Sequence, residues 1–415
     1  MKNLSQPSSP NGLSRRTLLT ALPVAGLLAQ AGEAAAAGSD SGFSFSGTFI
    51  DAAFTHPFGR VARAAAAAHV EARSREVTRV WPVVNQRDEA VAQFAKLINA
   101  PKEAIAVVPS TMEGENLVGQ ALQLGARRGV ITDALHYDAS LVLYGEARKR
   151  GVPVSVVKPR GVMIDLDDIE RAITPQTRLI AISLVSSTTG YLHDLKRLCD
   201  LAHSRGVLVY ADIIQAAGAV PIDVQASGVD FCCAGTYKWL MGDFGTAFLY
   251  VRPDRLEMLR RVQVGWRQVA DGPEEHFLPF QKPGPALGAY NMRPDTSGVF
   301  EVSSPAYGPL AIAAATIGDI LSQGVENIAT ARQPLIDRLQ EALPGLGFQP
   351  LTPRGPSPIA AFAYRDAAAK LRAPLRAADV KISLYEHRIR VSPSVYNSMG
   401  EIERLIDVLA RAVRS

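Results

Sequence analysis

Between Glu89 and about Pro253 the chain alternates short, β-branched apolar runs with longer stretches whose apolar residues recur at helical spacing. The runs fall at Gly129–Thr132, Val152–Val157, Leu179–Val185, Val207–Ala211, Val229–Cys233 and Thr246–Val251, each bounded by polar or glycine positions as strands are. Helix-like stretches lie between several of them, at Leu141–Arg150, Leu166–Ile173 and Leu195–Ser204. That rhythm predicts βα units and a mostly parallel sheet flanked by helices, an α/β fold. Such sheets hold ligands beyond the carboxyl ends of their strands, so the residues just after each run are where chemistry is sought. Residues 263–298 are rich in Pro and Gly and read as a long irregular segment. From about Pro309 the pattern is helical, ending in Ile402, Leu405, Ile406, Leu409 and Val413, with Ser398 and Glu401 spaced as a capping box. The expected organisation is a lead-in over 38–60, Ser/Gly-rich from Gly38 to Gly47, a large domain over 61–298 and a smaller α+β domain over 299–415.

Composition narrows the class. The chain has 415 residues, 47% hydrophobic and 20% charged, which suits a folded enzyme and excludes a disordered or fibrous one. A net charge of +4 without a Lys/Arg run leaves no footprint for nucleic acid and favours a small-molecule partner. Three cysteines, two of them the neighbours Cys232 and Cys233, do not make a disulfide framework and read as buried thiols. Seven scattered histidines show no metal-ligand spacing, so no metal is expected.

The first 37 residues read separately. Ser14-Arg15-Arg16-Thr17-Leu18-Leu19 precedes a moderately apolar stretch broken by Pro23, Gly26, Gln30 and Gly32, and Ala34 to Ala37 offers a cleavage site. This resembles a twin-arginine export signal, over residues 1–37. The resemblance implies the export machinery as a partner, passage in the folded, cofactor-loaded state, a periplasmic or secreted address, and no membrane span after processing. Cleavage removes Lys2, Arg15, Arg16 and Glu33, leaving 4 − 2 = +2.

Two strand ends carry the chemistry. Val207–Ala211 runs into Asp212, with Gln215 three residues on, and Val229–Cys233 runs into Ala234-Gly235-Thr236-Tyr237-Lys238. A lysine there can form a Schiff base with an aldehyde cofactor, and an aspartate at a neighbouring strand end can keep a pyridine nitrogen protonated. Singly, a lysine is usually a solvated surface residue and a strand-end aspartate usually a turn or helix-cap residue; their order and separation give them meaning together.

On these motifs the chain resembles the class V aminotransferase family of fold type I pyridoxal phosphate enzymes, from about Thr48 onward. Asp212-Ile213-Ile214-Gln215 is similar to the family's D-x-x-Q/H signature and Tyr237-Lys238 to its Schiff-base step, the Tyr being closer to the kynureninase and isopenicillin N epimerase branches than to the His-Lys of cysteine desulfurases. The resemblance implies pyridoxal 5′-phosphate as cofactor. It places the phosphate at Val107-Val108-Pro109-Ser110-Thr111-Met112, on Thr111 and the Met112 amide with Ser110 beside them, although Ser110 and Glu113 also fit a plain capping box. Tyr237 is a further phosphate ligand by the same resemblance. In His136-Tyr137, Tyr137 takes the ring-stacking place with His136 as the alternative; Ser187 stands where the family has an Asn on the cofactor oxygen. Arg390 in Arg388-Ile389-Arg390-Val391-Ser392 is the carboxylate clamp, its planar fork suited to two parallel hydrogen bonds. Phe300-Glu301-Val302-Ser303-Ser304-Pro305 resembles the segment that reaches the neighbouring subunit's phosphate, which puts Ser304 there and implies a homodimer; the resemblance also puts His56 at the substrate mouth, where a solvated loop histidine is the equal alternative.

The reaction expected is a transformation at Cα of an amino acid or of an aminoacyl group on a peptide-like metabolite: transamination, epimerisation or oxidative decarboxylation. A carbon–sulfur lyase is the alternative, and a cofactor-binding protein without catalysis is a third reading, opposed by intact Asp212, Lys238 and Arg390. The resemblance also argues against desulfuration through a persulfide, since the family's desulfurases use a nucleophilic Cys on a loop well after the lysine and Cys199, Cys232 and Cys233 all precede Lys238.

Overall fold

A computed structural model describes residues 42–75, 81–271, 279–280 and 290–414. The expected export signal lies outside the described residues. Residues 37–415 form one compact unit.

Seven strands build the central sheet: β1 (Ile105–Val108), β2 (Gly129–Asp133), β3 (Val154–Val157), β4 (Thr177–Ser183), β5 (Leu208–Asp212), β6 (Phe231–Gly235) and β7 (Ala247–Val251), in the order β1-β7-β6-β5-β4-β2-β3. The pairs among β6, β5, β4, β2 and β3 are parallel, and β7 runs antiparallel to both its neighbours. Period-2 alternation sends successive side chains to opposite faces. Ile180, Ile182, Val209, Ala211 and Cys232 therefore join one core, and Leu179, Ala181, Leu208, Tyr210 and Cys233 the other. The adjacent cysteines are thus on opposite faces of one strand, each fully buried.

Helices cover both faces. The first core takes Phe94 and Ile98, at the end of α2 (Trp81–Leu97), together with Leu198 of the helix Leu195–Ser204 and Ile317 of the helix Tyr307–Gln323. Tyr307–Gln323 also packs on α2 and on α1 (Arg60–Arg75). Leu117 and Val118 of α3 (Thr111–Ala121) and Tyr144 of α4 (Asp138–Lys149) take the second core. Where α3 crosses β6 the approach is so close that a Cβ on Gly114 would lie 2.6 Å from Cys233 Sγ. This contact fixes the start of α3 beside the end of β6.

The C-terminal region adds an antiparallel sheet of Gln349–Pro350, Ala360–Ala363, Arg388–Val391 and Ser383–Tyr385, in that order, backed by a third core with Leu339, Leu371, Leu405 and Leu409. The last helix, Met399–Arg414, starts with half of the expected box: the Glu401 carboxylate accepts from Ser398 N at 2.8 Å. The lead-in is ordered in its second half. From Thr48 it is built into the fold, pairing in parallel with Val380–Lys381 and bridging Asp51 to Ser392, because Ile50, Ala52 and Ala53 are fully buried.

Candidate active site

The carboxyl ends of β4, β5 and β6 and the start of α3 converge on a cleft lined by Ser110, Thr111, Met112, Tyr137, Ser183, Ser187, Asp212, Ile214, Gln215, Tyr237 and Lys238. Parallel strands bring this about, since their ends lie on one edge of the sheet and the residue after each faces the same space.

Lys238 follows β6 in a tight loop held by Met241 N to Lys238 O (2.8 Å) and Gly242 N to Thr236 O (2.8 Å), with Met241 in the left-handed region at φ 58°. Its side chain is buried, with Nζ 5.6 Å from the centre of the Tyr237 ring. Burial brings its ammonium down to about 8, against the pull of Asp212. Asp212 ends β5; its Oδ1 accepts from Ile214 N at 2.9 Å, and it has no ion-pair partner among the described residues. Burial pushes this carboxyl up to about 6. A buried carboxylate in that state suits a cationic ring nitrogen.

At the other strand end, Ser110 caps α3 by accepting from Glu113 N at 3.1 Å. Thr111 Oγ1 accepts from Gly235 N at 2.9 Å, which leaves its own O–H to donate. Open helix-start amides beside hydroxyls suit a dianion. Gln215 is held at both ends, Nε2 donating to Ala53 O (2.9 Å) and Oε1 accepting from Trp239 Nε1 (2.8 Å), with one Nε2–H left. Tyr137 stands at the open side, 39% exposed. His136 is buried, its ring nitrogens 2.8 Å from Ser183 Oγ and 3.1 Å from Glu115 Oε1. Glu115 also accepts from Ser140 and Tyr144, both at 2.6 Å. Burial alone would raise this carboxyl, but His136 and those hydrogen bonds outweigh it and hold it below its ordinary value; the same pairing lifts His136.

Two expected residues, His56 and Arg390, are not among the residues lining the cleft, and Ser304, expected at the neighbouring subunit's site, lies apart from it. His56 does not line the cleft: it is buried among Phe43 and Tyr396, 3.0 Å from both Ser394 Oγ and Pro57 O, and burial lowers its pKa to about 4. An apolar N-terminal stretch draws the imidazole inward, and only its backbone touches the site, donating to Tyr237 O at 2.9 Å. Ser304 lines a separate groove with Pro109, Glu113 and Phe300. Arg390 is buried behind Ser187, donating to Ser187 O at 2.9 Å, and is already paired with Asp51 at 3.2 Å; its Nε has no acceptor.

Sequence reasoning did not single out Asp51, Glu115 or Ser183. Ser183 ends its strand only in the structure, since the apolar run Leu179–Val185 carries on past it. Asp51 had no signal along the chain, since its partner lies 339 positions away.

The sequence profile described as Aminotransferase class-V matches residues 61–276. The chain belongs to the class V aminotransferase family. It is a pyridoxal phosphate-dependent enzyme, and its cleft fits that cofactor: Thr111, the α3 amides and Tyr237 would hold the phosphate, Asp212 the ring nitrogen and Lys238 the aldehyde. As a class V protein it is 28% identical over 332 residues to an uncharacterized aminotransferase, YcbU, of Bacillus subtilis (strain 168), covering 80% of this chain and 85% of that one. It is 31% identical over 191 residues to a probable cysteine desulfurase of Methanothermobacter thermautotrophicus, 46% of this chain and 48% of the relative. Among solved structures, the cysteine desulfurase CsdA of Escherichia coli superposes with a TM-score of 0.77 at 21% identity, covering 89% of this chain and 95% of that chain. The cystine C–S lyase C-DES gives 0.78 at 19%, covering 88% and 97%. Both share the α/β fold and its mostly parallel sheet.

Proposed function

We propose that this enzyme breaks a carbon–sulfur bond in an amino-acid-like substrate by elimination, without a persulfide relay on the protein. The observation that carries the site's chemistry is the buried Lys238 amine beside a buried Asp212 carboxyl. Bound pyridoxal phosphate supplies an aldehyde that takes up an amine and a ring that withdraws electrons from bonds at Cα. Lys238 Nζ, with its pKa brought down to about 8 by burial, is suited to accept the Cα proton and to return it to the leaving atom. Asp212 Oδ holds its negative charge where the ring nitrogen would be protonated. Tyr137 would cover one side of the bound cofactor, and the amides of α3 would hold its phosphate.

The direction of the reaction rests on the relatives: a probable desulfurase and a solved C–S lyase both cleave at sulfur by their names. The expectation that put a Cα transformation first and lyase chemistry second is therefore reversed. The thiols support the absence of a relay, because burial raises Cys199, Cys232 and Cys233 far from the thiolate. Transamination or epimerisation is the second reading, supported by the aminotransferase relative that spans most of both chains and by Tyr before Lys238. The test is thiol, sulfide and ammonia release from a panel of sulfur-bearing amino acids and their α-amides. Release without a keto acid supports elimination, while turnover only with a keto acid shifts the reaction to transamination.

The same proposal includes export by the twin-arginine route, on the pattern Arg15-Arg16 with Ala34 to Ala37, and a homodimer in which Ser304 serves the partner's site.

A further inference from the structure

Arg390 is not an open clamp. Its Nη2 donates to Asp51 Oδ1 (3.2 Å) and to Ser383 Oγ (2.8 Å), and its Nη1 to Ser187 O (2.9 Å). Ser383 in turn donates to both Asp51 oxygens at 2.9 Å. Asp51 is fixed from behind, since Ser392, its bridge partner, donates to Ile50 O through its backbone and accepts from Ala53 N at 3.0 Å through its hydroxyl. Both members of the pair are buried, and both act through space on Lys238, in opposite senses. Burial is costly for the Asp51 carboxyl, whose pKa is raised despite Arg390. A carboxyl buried at such cost, on a guanidinium whose charge acts on the reactive lysine, invites a role beyond packing.

We propose that Asp51 is a specificity-determining residue that occupies on Arg390 the position of a substrate α-carboxylate, so that substrates whose carboxyl is masked as an amide or peptide bond bind with the pair intact. A free amino acid brings a second carboxylate to one buried guanidinium and must displace Asp51 or share Arg390 through the unpartnered Nε. The inference rests on the reading of the cleft as a pyridoxal phosphate site and names the substrate class that site prefers.

The test compares holoenzyme affinity for L-alanine and L-alaninamide, read as the concentration giving half the change in the cofactor's visible spectrum. In Asp51→Asn the preference should move toward L-alanine by about tenfold or more, as for loss of a competing buried charge. Asp51→Glu keeps the charge and should keep the wild-type ratio within about threefold. Should Asp51→Asn fail to fold, Asp51→Ser removes the same charge with a smaller side chain and should shift the ratio the same way. An unchanged ratio in the neutral variant, or the same shift in Asp51→Glu, overturns the proposal. A wild type with no visible band after cofactor addition instead overturns the underlying reading of the site.

Discussion

Replacing Asp212 with Asn should stabilise the cofactor-free protein while disabling the enzyme. The carboxyl is 3% exposed and has one hydrogen bond, from Ile214 N, which the Asn oxygen can keep. Burial raises its pKa from 3.8 to about 6. A raised carboxyl means that the folded state holds the proton more tightly than the unfolded state, so the carboxylate opposes folding as pH rises. Its cost is absent below pH 3.8 and complete above pH 6. Linkage over that interval gives about 1 kcal/mol at pH 4.5 and about 3 kcal/mol at pH 8. Urea unfolding of cofactor-free wild type and Asp212→Asn at those two pH values should therefore show the variant ahead by a margin that grows with pH. The same variant should bind pyridoxal phosphate at least about tenfold more weakly at pH 8, because a neutral amide cannot stabilise a cationic ring nitrogen. A variant no more stable than wild type at pH 8, or one whose advantage is independent of pH, refutes the view that Asp212 is a charge held at a loss for the cofactor.

Lys238→Ala should abolish both turnover and the visible band of the cofactor-loaded protein, checked by absorbance after dialysis; a retained band refutes its assignment. Glu301→Ala should cost about 3–5 kcal/mol by thermal or urea unfolding, because Glu301 faces the buried Arg87 and accepts from Val107 N at 2.9 Å just ahead of the phosphate turn. Native protein treated with iodoacetamide should keep its activity, since the three thiols are buried; rapid inactivation with label on any of them would count against a relay-free mechanism. Changing Arg15 and Arg16 together to Lys should hold the protein inside the cell, read by fractionation, and continued export would contradict the signal assignment.

Sequence by itself marked six of the seven sheet strands and put Asp212 and Lys238 beyond strand ends, while Thr111 came from the family resemblance and the strand Ile105–Val108 and the antiparallel run of β7 came only with the structure. Strand alternation and the residue just beyond each strand are local properties, so the runs at Leu179–Val185 and Val207–Ala211 place chemistry at their ends without a structure. Strand limits moved by about two residues, as with Val229–Cys233 against Phe231–Gly235, because hydrogen-bond register rather than hydrophobicity ends a strand. Tertiary structure alone decided the charges and their partners. His56 looked like a mouth residue and is packed away by Phe43 and Tyr396; Arg390 looked like an open clamp and is paired with Asp51. Between His136 and Tyr137, only packing showed which ring faces the cleft. A side chain's partner and its dielectric surroundings come from segments hundreds of residues apart, and spacing along the chain carries no record of either.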